Sequence, residues 1–386
     1  MKRIVYADAL RVLAILLVVI HHVAITTDFS LHGIPHRLTF AGTWGVDCFF
    51  VLTGYLLSGP FLRAIINDDP FPSFKLFWSR RGFRIYPLYL LCLVISIADL
   101  AIEGHAPSFA DVFVHLAFLH SFFINYQPSI NPPLWTMALD AQFYVILPIV
   151  AFVLKRLLSN HNRLFKIRFL WVTIGICISG SLLERLFVAI NRLQGATIPL
   201  ALISFESRNL IGMASDFALG IALAFVLILG STSSINPRSS FFMLTFIGLL
   251  AVVSVKLETI DMNRVHEAWA IVALRDFIGG CIATGLLWLL LKTKSKLVDK
   301  VVSSGVVRFL APLAYAIYLF HFPILQHASR AFSSSLGSPI TTLLIGAAVC
   351  APLISVAALV HVLVERPFLN LRDRAREEKI VIMGAA

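Results

Sequence analysis

Apolar residues run along this chain in blocks of about twenty, the length a helix needs to cross a hydrocarbon core. Ten such blocks are readable, at about 5–26, 44–66, 84–103, 135–154, 168–189, 209–229, 241–256, 270–291, 307–328 and 341–364. The expected fold class is all-α, a polytopic transmembrane helix bundle of about ten spans. Residues 108–126 are almost apolar enough for an eleventh, but Asp111, His115 and His120 interrupt them. Counting that stretch would also place the basic residues of 155–168 on the wrong side, so a re-entrant or interfacial helix is expected there. No repeat of 20–50 residues is visible.

The polar residues between the blocks set an orientation. Lys2 and Arg3, then Lys75, Arg80, Arg81 and Arg84, then Lys155 to Arg168, Lys292 to Lys300, and Arg366 to Lys379 fall in alternate loops. This is the positive-inside pattern, and it places both termini in the cytoplasm. Residues 1–366 then form the membrane domain and 367–386 a short basic cytoplasmic tail. The first block carries Arg11 inside it and no A-x-A-like cleavage site after it, so it is expected to be retained.

Composition agrees with this picture. The 386 residues are 58% hydrophobic and 14% charged, with a mean hydropathy of +0.86, whereas a soluble domain is nearer half apolar and a quarter charged. The net charge of +11 would suggest nucleic acid in a soluble protein. Here it is absorbed by loop topology, and no nucleic-acid partner is expected; the lipid bilayer is the surrounding medium. The cysteines (Cys48, Cys92, Cys177, Cys281, Cys350) stand singly in apolar blocks, so they read as small buried hydrophobes and not as a metal site or disulfide framework.

Chemistry enters through polar residues inside the blocks. Arg11 and His22 are eleven residues apart, which at about 100° per residue returns to within roughly 20° of one helical face, about 16 Å further along. Such groups face a bundle interior or a wet cavity. In GVDCFFVLTGYLLSG, Asp47 sits at the mouth of the second block, and Gly45, Gly54 and Gly59 permit close helix approach. In WSRRGFRIYPLY, Arg80, Arg81 and Arg84 with Tyr86 suit a phosphate clamp, since guanidinium binds phosphate bidentately; orientation alone would also place basic residues there. In LWTMALDAQFY, Trp135 suits an interface belt, and Asp140 and Tyr144 share a face four residues apart. In YAIYLFHFPIL, Tyr315, Tyr318 and His321 form a loose stripe, and Pro323 frees the carbonyl of residue 319 beside His321, which leaves a structural histidine as the plain alternative. Glu365 and Arg366 read as a structural ion pair. Asp216, Arg275 and Asp276 are further charges inside blocks, the last two read as helix-holding pairs.

With these residues in view the chain resembles the integral-membrane acyltransferase-3 family of bacterial O-acyltransferases. The resemblance runs from Asp8 to Phe368 through Arg11 and His22, GVDCFFVLTGYLL, RRGFRIYPLY, LWTMALDAQFY, YAIYLFHFPIL and ERPF, in order. It implies a multi-pass protein of the bacterial inner (plasma) membrane. The implied reaction is transfer of an acyl group, most often acetyl, from acetyl-CoA (acyl-CoA) as co-substrate, with no bound cofactor and no metal. The implied acceptor is a hydroxyl-bearing envelope glycan, lipid-linked sugar or secreted small molecule. His22 matches the family's essential histidine, Arg11 its partner, and Arg81 with Arg84 the R-x-x-R element tied to the donor. Asp140 stands where the family usually has Glu, one methylene shorter, and Thr53 replaces a common Ser. A stand-alone member, without a hydrolase-like extracytoplasmic domain after the last block, is expected.

The expected mechanism has Arg80, Arg81 and Arg84 holding the CoA phosphates at the cytoplasmic face and Arg11 steadying the thioester. His22, with an ordinary pKa of about 6.5, acts as general base on the acceptor hydroxyl. Asp140, Asp47 or His321 orients the imidazole or binds the acceptor. Helical rise places His22 about 25 Å into a core of roughly 30 Å, which leaves direct transfer and a relayed acyl-enzyme both open. Two other classes fit intramembrane charge: a secondary transporter or flippase of an envelope lipid or sugar, and a membrane scaffold.

Overall fold

The computed structural model describes residues 2–26, 41–195, 208–230, 237–257, 265–293, 295–331 and 339–371. Among them there is no strand. The helices are α1 (Lys2–Thr26), α2 (Trp44–Ile66), α3 (Phe74–Ile102), α4 (Phe109–Leu116), α5 (Trp135–Leu157) and α6 (Arg163–Gly195), followed by α7 (Ala214–Leu229), α8 (Pro237–Leu257), α9 (Val265–Lys292), α10 (Lys296–Val302), α11 (Gly305–Ala331) and α12 (Pro339–Val360). A π-helical turn, His361–Glu365, continues α12.

Among the described residues, eight helices are long and apolar enough to cross a membrane, and α7 and the Ser239–Val255 part of α8 are shorter apolar helices. All ten expected blocks are therefore helical. The doubtful segment after residue 108 holds only the eight residues of α4 and a short 3-10 turn, His120–Phe122. Eight residues rise about 12 Å, far short of a hydrocarbon core. Phe118 follows α4 with φ of 56°, a strained conformation for a bulky residue. Gln142 donates to its carbonyl at 2.7 Å, and its ring packs on Tyr89 with centroids 4.4 Å apart.

Two helix starts differ from the apolar pattern. α3 begins at Phe74, because the Ser73 hydroxyl accepts the Leu76 N–H at 3.4 Å, a side-chain cap that hydropathy does not register. Lys75, Arg80, Arg81 and Arg84 thus ride on the helix and not in a loop before it. α6 begins at Arg163, where Asn162 Oδ1 accepts the Phe165 N–H at 2.9 Å.

α2 lies at the centre, packed against α1, α5, α7 and α9. A Cβ at Gly54 would run into the carbonyl of Phe217, and one at Gly220 into the carbonyl of Val51, so α2 and α7 cross backbone to backbone. Gly45 does the same against the Ala14 carbonyl of α1, while Gly59 faces nothing closer than the tip of Arg63. The apolar interior falls into two cores: one joins α2, α5, α6, α7 and α9, the other joins α1, α3, α11 and α12. Val46, Phe49 and Tyr144 pack on both.

The carbonyl freed by Pro323 belongs to Leu319. It accepts from Asn131 Nδ2 and from the Cys92 thiol, each at 3.2 Å, and not from His321. Of the five free cysteines, Cys48 and Cys92 are buried as expected, but Cys177 and Cys350 are on the exterior of the bundle.

Candidate active site

Two cavities lie within the bundle. The larger, about 720 Å³, runs from the start of α1 and the end of α12 toward the middle of α2. Its charged lining is Asp8, Arg11, Arg81, Arg84, Asp140, Arg308 and Glu365. The Arg11 guanidinium donates to Asp8 at 2.5 Å, one helical turn earlier, so it is oriented by its own helix. Arg81 lies 5.9 Å from the ring centroid of Tyr144 and as far from that of Phe77. Asp140 is buried, and its Oδ1 has no hydrogen-bond partner among the described residues. Thr53 is within hydrogen-bonding reach of the Asp140 carboxyl and of Tyr144. An unpartnered buried carboxylate oxygen is costly and belongs where a ligand or water completes it.

The π-turn supplies a further pair. Glu365 accepts from His361 at 2.8 Å, and both line the larger cavity. The partner of Glu365 is thus His361, and Arg366 points outward, exposed, which corrects the expected Glu365–Arg366 pair. Adjacent helical residues point about 100° apart, so Glu365 does not face Arg366, whereas His361 lies one turn back on its own face.

The smaller cavity, about 330 Å³, is lined by His21, His22, Asp47, Trp135, Arg208 and Asp276, among others. His22 Nδ1 is 2.9 Å from the Val18 carbonyl. A carbonyl only accepts, so this nitrogen carries the proton and Nε2 holds the lone pair. His321 is completely buried behind it; its Nδ1 meets the Tyr318 carbonyl at 2.6 Å and its Nε2 lies 3.3 Å from His22 Nδ1. By the same argument His321 Nε2 is an acceptor, and it shares the His22 proton with Val18. Arg208 stacks over Trp135, 5.2 Å from the ring centroid.

Below Asp47 lies a buried ionic cluster. Arg185 is fully buried and pairs with Asp216 at 3.6 Å and with Asp276 at 3.4 Å, and Arg275 donates to Asp276 at 3.0 Å. Asp276 thereby joins α9 to α6, which agrees with a helix-holding role, while it also borders the smaller cavity.

The sequence-predicted residues are thus divided between two places. Arg11, Thr53, Arg81, Arg84, Asp140 and Tyr144 face the larger cavity, and His22, Asp47 and Trp135 the smaller, while Tyr318 borders both. His321 backs His22. Arg11 and His22, on one face of one helix, do not share a cavity. Arg80 and Tyr86 line neither; Tyr86 is exposed, with its ring edge toward Phe118.

The family model of the acyltransferase domain matches residues 4–362, nearly the whole chain and every residue of both cavities except Glu365 and Leu369. The chain belongs to the acyltransferase-3 family. It is 25% identical over 338 residues to the peptidoglycan O-acetyltransferase OatA of Listeria monocytogenes, covering 82% of this chain and 49% of that protein. It is 25% identical over 345 residues to a provisionally named O-acetyltransferase of Staphylococcus aureus, covering 84% and 51%. A provisionally named peptidoglycan O-acetyltransferase of Bacillus subtilis, YrhL, is 30% identical over 173 residues, covering 41% and 25%. The chain spans about half the length of the first two relatives. No solved structure matches it.

Within this acyltransferase-3 chain, sequence reasoning missed four site residues. His361 was signalled by its place four residues before Glu365, a facing pair on a helix. Arg308 and Arg208 line the two cavities from the start of α11 and from just before α7, and Arg185 holds the ionic cluster; apolar blocks with a single cation carry no signal of which way it points.

Proposed function

We propose that this chain is a membrane O-acyltransferase that moves an acyl group, most readily acetyl, from acyl-CoA to a hydroxyl of an envelope glycan. The larger cavity takes the donor and the smaller one the acceptor. The observation that carries the reading is the division of the site: Arg11, Arg81, Arg84 and Arg308 line one cavity, while His22, its Nδ1 committed to the Val18 carbonyl, lines the other. In this reading the arginine-lined cavity opens to the cytoplasm, as the positive-inside pattern requires. The protein sits in a bacterial plasma membrane with both termini inside. The naming of the Listeria relative favours a glycan acceptor.

The chemistry follows from the groups present. Arg81 and Arg84, three residues apart on α3, present two guanidinium forks to the CoA phosphates. The pantetheine arm extends along the cavity toward Thr136 and Tyr318. His22 Nε2 takes the proton of an acceptor hydroxyl, and the oxygen attacks the thioester carbonyl. The tetrahedral oxyanion collapses with cleavage of the C–S bond, and the CoA thiolate leaves with the proton returned by His22. Arg11, fixed by Asp8, and Asp140 sit on the donor side, where they orient the arm. The cavity arrangement supports direct transfer, because His22 and the donor meet at a common wall and no relay residue is needed.

The test uses purified protein in liposomes, acetyl-CoA outside and short peptidoglycan oligosaccharides inside, with ester formation followed by mass spectrometry. Transfer by the wild type and its loss, about 10²-fold or more, in a folded His22→Ala protein is expected. Undiminished transfer by His22→Ala would remove His22 as the base, and oligosaccharide export without acylation would make the protein a transporter.

A further inference from the structure

If donor and acceptor occupy separate cavities, the place where the cavities touch decides what passes between them. Among the described residues, Val46 and Tyr318 alone line both. Each is held in place. The Tyr318 hydroxyl accepts from Thr136 Oγ1 at 2.8 Å and donates to the Pro133 carbonyl at 3.0 Å. Its ring meets the Phe49 ring edge-on, centroids 5.8 Å apart, and the residue is 3% exposed. The Tyr318 carbonyl also carries His321, so rotating this residue would disturb the support of His22.

Val46 faces it from α2. The next residue back, Gly45, has no room even for a Cβ against the Ala14 carbonyl, and Gly42 is pressed on Leu17 and His21. The start of α2 therefore cannot move closer to α1. Val46 itself is β-branched and has one strongly preferred rotamer in a helix. A stiff side chain on a fixed backbone faces a ring pinned at both ends. Where the two cavities touch, the shared lining is a valine and an aromatic ring.

We propose that Val46 and Tyr318 form a rigid neck that selects short acyl groups. The inference rests on the acyltransferase reading. The thioester carbonyl must sit at the neck to meet an oxygen beside His22, so the carbons beyond that carbonyl lie against Val46 and Tyr318. The single methyl of an acetyl group fits such a place, and each further methylene has to displace a fixed wall. One methylene against an unyielding apolar wall is worth about 10- to 200-fold in discrimination.

The experiment offers acetyl-, propionyl- and butyryl-CoA to the same liposomes and reads the ratio of esters formed. Wild type favours acetyl. Val46→Ala, which removes two methyl groups, raises the butyryl-to-acetyl ratio about tenfold or more, and Val46→Ile lowers the propionyl-to-acetyl ratio. Leu56→Ala, in the larger cavity but away from the neck, leaves the ratios alone. Unchanged ratios in both folded Val46 variants overturn the neck while leaving the acyltransferase standing. Absence of transfer from every acyl-CoA by the wild type overturns the reading beneath it.

Discussion

His321 and His22 are joined ring to ring, Nε2 of the first 3.3 Å from Nδ1 of the second, with ring centroids 4.8 Å apart and planes at 70°. In the proposed mechanism the first acts on the acceptor only through the second, as a positioning residue. Losing one hydrogen bond of about 1 kcal/mol corresponds to roughly fivefold in rate. His321→Phe is expected to lower kcat by about that factor with the KM for acetyl-CoA unchanged. His321→Gln, which keeps an acceptor, recovers part of it. Steady-state kinetics with both variants checks the split.

The two arginines of α3 should act on donor affinity. Arg84→Gln and Arg81→Gln each remove a charge-assisted contact of about 1.5–3 kcal/mol, so the KM for acetyl-CoA rises roughly tenfold to a hundredfold. Arg80→Gln, outside the cavity, leaves KM near the wild-type value. Equal effects of all three would show that only general positive charge matters.

Most of this division between cavities was not legible in the chain, and the reason is specific. Periodicity placed Arg11 and His22 on one helical face, and the structure keeps them there. A face 16 Å long passes two separate spaces, however, and which one each residue meets depends on where α2 crosses α1. That crossing is set by Gly45 and Ala14, residues far apart in sequence. The ten blocks were legible because burial in lipid demands apolar length. The start of α3 was not, because a single serine hydroxyl decides it. Likewise Glu365 was noticed, but its partner His361, four residues earlier, was passed over for the adjacent Arg366.

Backbone contact between α2 and α7 predicts a contrast among glycines. Gly54→Ala forces a methyl group into the Phe217 carbonyl and is expected to cost about 1–3 kcal/mol. Gly59→Ala meets only the end of a flexible arginine and should be tolerated. Thermal unfolding in detergent, followed by loss of the monodisperse peak, measures the difference.

Arg185 makes a sharper case. Arg185→Met leaves Asp216 buried with its cation removed, a loss of about 3–5 kcal/mol for breaking one side of a buried pair. Arg185→Met with Asp216→Leu removes both charges and is expected to be the more stable of the two. A double variant no better than the single one would show that Asp216 is not the partner that matters.

His115 and His120 lie stacked, centroids 4.0 Å apart, both fully buried after α4. Burial lowers the pKa of His115, against the pull of Asp111, and takes His120 down to about 3 by burial and then by the neighbouring His115. Both are neutral in the fold, while the unfolded chain takes up protons below about pH 6.5. Stability is therefore fully present above that pH and declines as pH falls toward 3. The melting temperature of the wild type should drop between pH 7 and 5, and His120→Gln should flatten that drop.

A wall only two side chains thick at Val46 and Tyr318 has an electrical consequence. The membrane voltage falls across the least conductive part of the protein, and moving one elementary charge through it involves about 2.3 kcal/mol per 100 mV. An acetyl group carries no charge, so its passage is blind to that voltage. In the proposed mechanism the polyanionic CoA stays with its arginines on one side, and only the neutral acyl group is handed across.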